Sequence, residues 1–558
     1  MTHKYVISTM RNALVLMLLA ACATVARGEE EVTVHGSIQA DILFPESDPL
    51  IGAEAEGKVN ANVYANAGVF SKYVDAGLRF EYLQYPLPGF SPNFKGWGVP
   101  NIYIKGKYKG FEVTAGDFYE QFGSGFILRT YEERSLGIDN SIRGGRLKVN
   151  AIPGVRLTAL GGVQRHFWSW NTKSGLLGVD GEWDMSTTFK GLEKRGITWT
   201  FGASYVMKHE DETEIIVPGT NYRLNLPTNV GAFDVRTSFH KGGFGLLLEY
   251  AWKSQDPEFV NNYTYGTGSA FMVSASYSKT GLSALIQVKR SDNMDWRSRR
   301  SEAEAVAFIN TLPPFTYQHT YSLAAMYPYA TQSAPGEWAF QGAFSYKFPR
   351  GTAMGGKYGT KFNINASYIC GIDRQAASNG LPGATDTLMG TDWWVPGTSK
   401  LGQTYYTDIN VQLDKRVTRD FQLNAMYMFQ KYNQLVIEGH GEMINSHIIV
   451  AEGKWKINKK FTLRMEGQYL HTQQDKKDWL YGLAEISFAP YLMFAVSDQW
   501  NFGGDGTHYY MVTLTGNFYN NRLLIGYGRT RAGYNCAGGV CRYVPATRGF
   551  QISYNYNF

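Results

Sequence analysis

The sequence has few cysteines, few charged residues and, beyond residue 21, no long apolar run. Four cysteines in 558 residues are too few for a disulfide-rich scaffold. Charged residues make up 18% of the chain and the formal net charge is +6. Lys4, Arg11 and Arg27 fall in a leader, and removing these three charges leaves +3, which is too weak to indicate nucleic-acid binding. Because no run of about 18 apolar residues follows the leader, no helix is expected to cross a membrane there.

The N-terminal residues have the features of an export signal. Basic Lys4 and Arg11 precede the apolar stretch 13–21, which is too short to span a bilayer as a helix. We therefore predict a signal peptide over residues 1–28.

Two cleavage sites are compatible with this leader. Residues 26–28 fit ordinary signal peptidase, whereas residues 19–22 fit a lipoprotein cleavage box that would leave a lipid on Cys22. Lipidation is the less favoured of the two, because a protein already embedded in a membrane gains little from an acyl anchor.

Alternation of apolar and polar residues is what the chain has in abundance. Aromatic residues make up 15% of it, with 37 Tyr and 32 Phe. The last nine residues place apolar side chains on one face of a strand and Gln, Ser or Asn on the other. Lipid on one side and a wet lumen on the other explain this pattern. The apolar face resembles the signal by which outer-membrane barrels are recognised by their insertion machinery, and it consists of Phe550, Ile552, Tyr554, Tyr556 and Phe558.

Strand-length units of this kind continue through the chain from Val32 onward. They predict an all-β fold, a large transmembrane antiparallel β-barrel of about 24 strands, within a range of 22–26. A single domain is expected over residues 29–558. Because alternation starts directly after the leader, we expect no plug domain of the kind that precedes the barrel of a TonB-dependent transporter. A barrel this wide is not filled by its wall side chains, so we expect its lumen to be partly occupied by inserted segments.

Three stretches interrupt the alternation and are candidates for such segments: 116–146, 291–314 and 371–402. In the second stretch, Ser301 and Glu304 have capping-box spacing, which predicts a short helix over residues 301–309.

Two groups of residues in these stretches have more than one interpretation. Arg297, Arg299 and Arg300 are attributed to a solvated loop, with anionic lipid headgroups as the alternative. Trp393 and Trp394 fit a packed loop, an interfacial anchor or a surface that stacks on a sugar ring.

The stretch 116–146 is rich in charges of both signs among aromatic residues and glycines. Near balance of acids and bases suggests a desolvated network that satisfies itself. Its glycines would let the backbone turn into the lumen. The predicted lumen constriction consists of Asp117, Glu120, Arg129, Glu132, Arg134 and Arg143.

The three remaining cysteines are Cys370, Cys536 and Cys541. Cys536 and Cys541 are separated by a flexible link containing two glycines, so a local disulfide in a surface loop is predicted. Cys370 has no evident partner and is interpreted as a small residue at a strand end.

Five sequence segments occur in a distinctive order: Gly116–Arg146, Arg290–Met294, His319–Leu323, Met326–Gln332 and Gly355–Thr360. Together they resemble an uncharacterised family of outer-membrane barrels from Bacteroidota, a domain of unknown function that spans essentially the mature chain. The resemblance implies an outer-membrane location and a barrel fold, and it implies no established activity.

The sequence contains no convincing catalytic or metal-binding motif. His440, Glu442 and His447 lie close together, but their glycine-flanked loop favours a chance grouping over a metal site. We therefore expect no cofactor and no metal, and an outer-membrane enzyme is the least favoured function.

The favoured function is an outer-membrane channel whose charged segment narrows the lumen. The alternative is a membrane anchor or accessory component of an assembly such as the type IX secretion machinery. The expected partners are outer-membrane lipid and lipopolysaccharide, the barrel-insertion machinery, and periplasmic secretion-ring or lipoprotein components. No nucleic-acid partner is expected.

Overall fold

The computed structural model describes residues 32–211, 214–216, 223–373, 388–389 and 398–558. The predicted signal peptide and Cys22 lie outside the described residues, as do Trp393, Trp394 and most of the predicted loop 371–402.

The wall is one sheet of 24 strands. Each strand pairs antiparallel with the next in the chain, and the last pairs with the first, so the sheet closes on itself. The predicted fold class and strand number are confirmed. The strands are β1 Thr33–Pro45, β2 Asn60–Phe70, β3 Val74–Leu83, β4 Gly96–Tyr108, β5 Phe111–Phe118, β6 Ile142–Ile152, β7 Val155–His166, β8 Ser169–Asp184, β9 Ile197–Glu210, β10 Asn229–Lys241, β11 Phe244–Lys253, β12 Gly268–Lys279, β13 Leu282–Asp292, β14 Glu337–Phe348, β15 Thr360–Ile372, β16 Leu401–Arg416, β17 Phe421–Asn433, β18 Met443–Lys456, β19 Phe461–His471, β20 Trp479–Phe488, β21 Leu492–Trp500, β22 His508–Phe518, β23 Asn521–Thr530 and β24 Thr547–Asn557.

Smaller elements lie in the connections. Two-residue strands pair Glu132–Glu133 with Ile138–Asp139 and Arg223–Leu224 with Leu388–Met389, and a hairpin pairs Gly533–Ala537 with Val540–Val544. The helices are Met185–Thr188, Lys190–Lys194 and Gln434–Glu438, with 3-10 turns at Pro92–Phe94 and Phe259–Asn261. Within the described part of the chain, no helix is long and apolar enough to cross a membrane.

The outer face of the wall is apolar. Phe494 and Val496 on β21 and Leu514 on β22 are exposed, whereas the alternate residues Ala495 and Thr515 are buried against the interior. A closed sheet leaves no unpaired backbone edge, so a wall with this outer face satisfies its polar groups in lipid. The chain is therefore an integral membrane barrel of the outer-membrane type.

Strand β24 closes the barrel. Phe550 lies opposite Phe44 of β1, and Ile552 lies opposite Ile42. Phe550 and Phe558 are exposed on the outer face. This places the predicted insertion signal on the lipid side of the closing strand, and its recognition by the insertion machinery stays a prediction.

The two ends of the barrel differ in the length of their connections. The connections 119–141, 293–336 and 531–546 follow β5, β13 and β23. Because neighbouring strands alternate in direction, connections that follow odd-numbered strands lie at the same end. The second of them extends to residue 336, well beyond the predicted boundary at 314.

The prediction of a helix over residues 301–309 is wrong. The backbone there forms turns and bends, and Ala307 has a φ of +61°. The Arg297 guanidinium donates to the carbonyl oxygens of Glu302, at 3.4 Å, and Glu304. These carbonyls would otherwise accept the amide hydrogen bonds of a helix. Local sequence indicated a helix start, but in the structure these carbonyls accept from Arg297, which lies just before the predicted helix.

The lumen is largely filled by the segments 119–141 and 293–336. Their apolar residues form one cluster with inward wall residues; among them Phe126, Ile127, Leu128, Trp296 and Ile309 are fully buried. Lumen occupation by inserted segments, expected from the width of the barrel, is therefore extensive.

Candidate functional site: the lumen and its charged lining

A buried cluster of charges holds segment 119–141 against the wall. Arg79 on β3 contacts Glu132 at 2.9 Å and also contacts Asp139. Arg165 on β7 contacts Asp139 at 2.5 Å and Glu81 at 2.8 Å. Arg79, Glu81 and Arg165 are buried wall residues. In this low-dielectric setting each charge depends strongly on its partners.

Asp139 is the centre of this cluster. Burial alone would raise the pKa of Asp139, but Arg165 and Arg79 together lower the pKa below its ordinary value of 3.8. The Tyr119 hydroxyl donates to the Asp139 carboxylate at 2.9 Å, and burial raises the pKa of Tyr119 well above its ordinary range. Asp139 is thus an anion and Tyr119 a neutral donor at neutral pH.

Two of the predicted constriction residues form a pair within the wall. Asp117 lies next to the last residue of β5 and Arg143 next to the first residue of β6, and the Arg143 Nη2 lies 2.6 Å from the Asp117 Oδ2. The Arg143 guanidinium also lies over the Trp170 ring at 3.4 Å. This pair anchors the two ends of segment 119–141 to each other.

Glu120 and Arg129 occupy different places. Glu120 contacts Arg146 at 3.0 Å and Lys148 at 2.7 Å, both on β6. The Arg129 guanidinium lies 5.0 Å from the centre of the Tyr131 ring. The Arg129 amide donates to the Ile309 carbonyl at 2.8 Å, which joins the two inserted segments.

Glu132 and Arg134 are partly buried and pair with each other. The Arg134 Nε lies 2.6 Å from the Glu132 carboxylate, and its Nη1 donates to the Gln39 Oε1 at 3.0 Å. The same guanidinium lies 4.6 Å from the centre of the Tyr64 ring. The six predicted residues therefore do not form one ring. Some of them lie where the segment contacts the wall, one lies where the two inserted segments meet, and others lie on the lumen surface.

The tip of segment 119–141 reaches a more distant part of the wall. The Ser124 amide and hydroxyl donate to the Glu249 carboxylate on β11, at 2.9 Å and 2.5 Å. Gly123 has a φ of +52°, and a Cβ there would lie 2.6 Å from Glu249. Only glycine permits both this turn and this close approach.

Segment 293–336 is held by a second buried cluster. Lys208 on β9 contacts Asp256, and its Nζ lies 3.1 Å from Glu258. Arg300 contacts Asp256 at 3.2 Å. Arg297 is also buried, and of the predicted cluster only Arg299 is exposed. The assignment of these arginines to a solvated loop or to lipid headgroups is wrong for Arg297 and Arg300, because the segment enters the lumen and carries them inside.

Sequence reasoning did not find the wall partners Arg79, Glu81 and Arg165. The available signal was their position, since Arg79 and Glu81 alternate with the apolar Leu78 and Phe80 and so point inward. Nothing in a single sequence indicates which inward charge meets which inserted residue.

Open space remains along one side of the lumen. A mouth cavity of about 500 Å³ is lined by Glu46, Tyr85, Pro545 and Arg548, among others. A central cavity, also about 500 Å³, is lined by residues that include Gln39, Asn62, Tyr64, Arg134, Gln551 and Ser553. A lower cavity of about 300 Å³ is lined by residues that include Ser37, Asn66, Asn101 and Tyr103. All three adjoin β1 and its neighbours.

The hairpin 533–544 lies over the inserted segments. Cys536 and Cys541 are joined by a disulfide within it. The Gly539 carbonyl accepts a hydrogen bond from the Thr331 amide at 2.9 Å. The hairpin therefore covers segment 293–336 at the end of the barrel that carries the long connections.

No group of three or more His, Cys, Asp or Glu side chains within the described ranges is arranged to hold a metal ion. Cys370 is buried in β15 and carries a free thiol.

Similar structures come from several kinds of membrane protein. A ferric enterobactin receptor mutant from Pseudomonas aeruginosa is 9% identical with a TM-score of 0.43, covering 94% of this chain and 80% of the receptor. A BenF-like porin from Pseudomonas fluorescens Pf-5 is 10% identical with a TM-score of 0.33, covering 84% of this chain and 99% of the porin. The translocation pore of the P pilus usher is 10% identical with a TM-score of 0.45, covering 94% of this chain and 99% of the pore.

A comparison with curated proteins gives no match. A family model matches residues 10–558, which is nearly the whole chain. The chain therefore belongs to the Family of unknown function (DUF6029).

Proposed function

We propose that this protein is an outer-membrane channel in which the inserted segments leave a narrow polar path along one side of the lumen. The observation that carries the proposal is the alignment of the mouth, central and lower cavities on the same wall strands. The outer-membrane lipids, lipopolysaccharide and the insertion machinery are its proposed partners.

The inward residues of β1 support this path. Ser37 lines the lower cavity, and Gln39 and Asp41 line the central cavity. Residues two apart on a strand follow each other on one face at about 6.6 Å. The cavities therefore succeed one another along a single line of polar side chains.

The rest of the lumen is filled among the described residues. There the inserted segments pack against inward residues of strands between β5 and β22 in a cluster of buried apolar residues. Solutes would therefore pass between segment 119–141 and the strands β24, β1 and β2. Amide and hydroxyl side chains on this surface suit small hydrophilic solutes.

Cysteine labelling in planar bilayers tests the path. Ser553 lines the central cavity, and its hydroxyl donates to Asp41 at 2.6 Å. In the variant Ser553→Cys, a methanethiosulfonate reagent adds bulk inside the path, and the single-channel conductance should fall by about half or more. The native Cys370 is buried and leaves the background low.

The matched control is Ser367→Cys. Ser367 is also an inward serine, but it is buried on β15 on the filled side of the lumen. The reagent should leave the conductance of this variant unchanged. If the protein conducts but the reagent also leaves the conductance of Ser553→Cys unchanged, the path lies elsewhere. If the unmodified protein does not conduct, the channel is rejected.

A second candidate is a sealed membrane anchor for a periplasmic assembly such as the type IX secretion machinery. The apolar packing of the two inserted segments favours the anchor, because this packing fills most of the lumen. Under this alternative the protein conducts nothing, and purification from native membranes retains secretion-ring or lipoprotein components.

A further inference from the structure

Arg542 lies between two cavities at the mouth of the proposed path. It belongs to the strand Val540–Val544 of the hairpin and lines the central cavity. It also lines a side cavity of about 460 Å³, together with residues such as Leu136 and Glu304. Its guanidinium lies over the Phe90 ring at 3.8 Å.

Among the residues that the structure describes, no carboxylate pairs with the Arg542 guanidinium. Its Nη2 donates to the Ser135 carbonyl at 2.9 Å. Its Nε and Nη1 are buried and have no hydrogen-bond acceptor among the described residues. By contrast, Arg134 beside it contacts the Glu132 carboxylate.

Burial lowers the pKa of Arg542 to about 10, which still leaves the guanidinium protonated at neutral pH. A half-buried cation without an acidic partner is unfavourable, and a ligand that supplies the negative charge would relieve this cost.

We propose that Arg542 is the anchoring group of a binding site for a small solute that carries an oxyanion, a carboxylate or a phosphate. The inference rests on the proposed channel, and it names the class of solute that the path favours. Guanidinium groups pair with oxyanions through charge-assisted hydrogen bonds. The Phe90 ring covers one face of Arg542, and Arg542 lines both the central cavity and the side cavity.

Part of the central cavity suits hydroxyl groups. Gln39, Asn62, Tyr64, Asn535 and Gln551 provide neutral donors and acceptors. Asp41 is the acid among the described residues that line this cavity. Its carboxylate already accepts hydrogen bonds from Gln39 at 2.8 Å and from Ser553. The expected solute is therefore a hydroxylated monoanion of the size of an acidic sugar, and the cavity volume is in the range of small-molecule sites.

Calorimetric titration of the detergent-solubilised protein tests the site without requiring conduction. The probes are D-glucuronate, neutral D-glucose and inorganic phosphate. Glucuronate should bind and glucose should not. Arg542→Gln should weaken glucuronate binding about tenfold or more, because a hydrogen bond to a charged group is lost. Arg542→Lys, which keeps the charge, should give an intermediate affinity.

The control is Arg350→Gln, which removes the same charge from an exposed turn at the other end of the barrel. It should bind glucuronate like the unmodified protein. Heat-dependent gel migration verifies that every variant retains a folded barrel.

Equal glucuronate affinity in Arg542→Gln and the unmodified protein, or no binding to either, overturns the proposal. Phosphate binding as tight as glucuronate binding supports the oxyanion site and rejects the role of the hydroxyl-binding surface. Glucuronate binding that depends on Arg542 in a protein without conductance would reject the channel and keep the site.

Discussion

The effect of each charged residue in this lumen on stability depends on its ion-pair partners. Asp139 is held by Arg79 and by Arg165 at 2.5 Å, and Arg165 also contacts Glu81. A buried pair of this kind adds little net stability compared with an apolar pair, but removing one partner leaves a buried charge uncompensated. The cluster therefore specifies where segment 119–141 docks.

The variant Arg165→Met is expected to destabilise the protein by about 3–5 kcal/mol, because it leaves Glu81 and Asp139 with fewer cationic partners. Urea unfolding in detergent, followed by tryptophan fluorescence, measures this change.

Arg156→Met is the matched control. Arg156 is exposed and has Glu182 as its acidic partner. The same substitution there should change the free energy of unfolding by less than about 1 kcal/mol. Equal effects of the two substitutions would mean that the buried cluster does not hold the segment.

The sequence indicated which residues carry charge but not which residues meet. Glu132 and Arg134 lie two positions apart and form an ion pair, yet the sequence named them only as members of one charged set. Arg79 and Asp139 are separated by 60 positions, and their contact exists only after the barrel closes around the segment. Periodicity specifies the face of a strand and carries no information about the partner across the lumen.

At the scale of elements, the strands could be predicted because their apolar and polar residues alternate regularly, whereas the inserted segments could not. The wall strands follow a period of two, because each residue faces either lipid or lumen, and their number was predicted from this pattern. Segments 119–141 and 293–336 contact wall on several sides and show no period. The failed helix at residues 301–309 lies in such a segment.

The two inserted segments depend on Asn310 for their mutual position. The Asn310 side chain donates to the Phe126 carbonyl at 2.7 Å and to the Met294 carbonyl at 2.6 Å, and Asn310 is buried. In Asn310→Leu both carbonyls lose a donor, at about 1–3 kcal/mol each. Amide hydrogen exchange in residues 293–336 should accelerate while the wall strands stay protected.

Asn93→Leu serves as the control for this change. The Asn93 side chain also contacts segment 293–336, donating to Glu304 at 2.8 Å, but this bond is exposed to solvent. Its loss should leave exchange in the segment close to that of the unmodified protein. Unchanged exchange in Asn310→Leu would show that apolar packing alone positions the segments.

The whole molecule is defined by which face of the wall meets lipid. Hydrocarbon solvates no charge, whereas the lumen side offers water and polar neighbours. Adjacent residues of one strand therefore experience opposite environments, and the same substitution at two neighbouring positions has different consequences.

Leu514 and Thr513 on β22 provide this comparison near the middle of a strand. Leu514 is exposed on the outer face, and Thr513 is half-buried on the lumen side. Leu514→Arg should reduce the stability of the barrel folded in phosphatidylcholine vesicles by about 2–4 kcal/mol, because the guanidinium enters the hydrocarbon region. Thr513→Arg should cost clearly less, since its side chain reaches lumen. The folded fraction on heat-dependent gels across a urea series measures both, and a reversed order would mean that the wall is turned the other way.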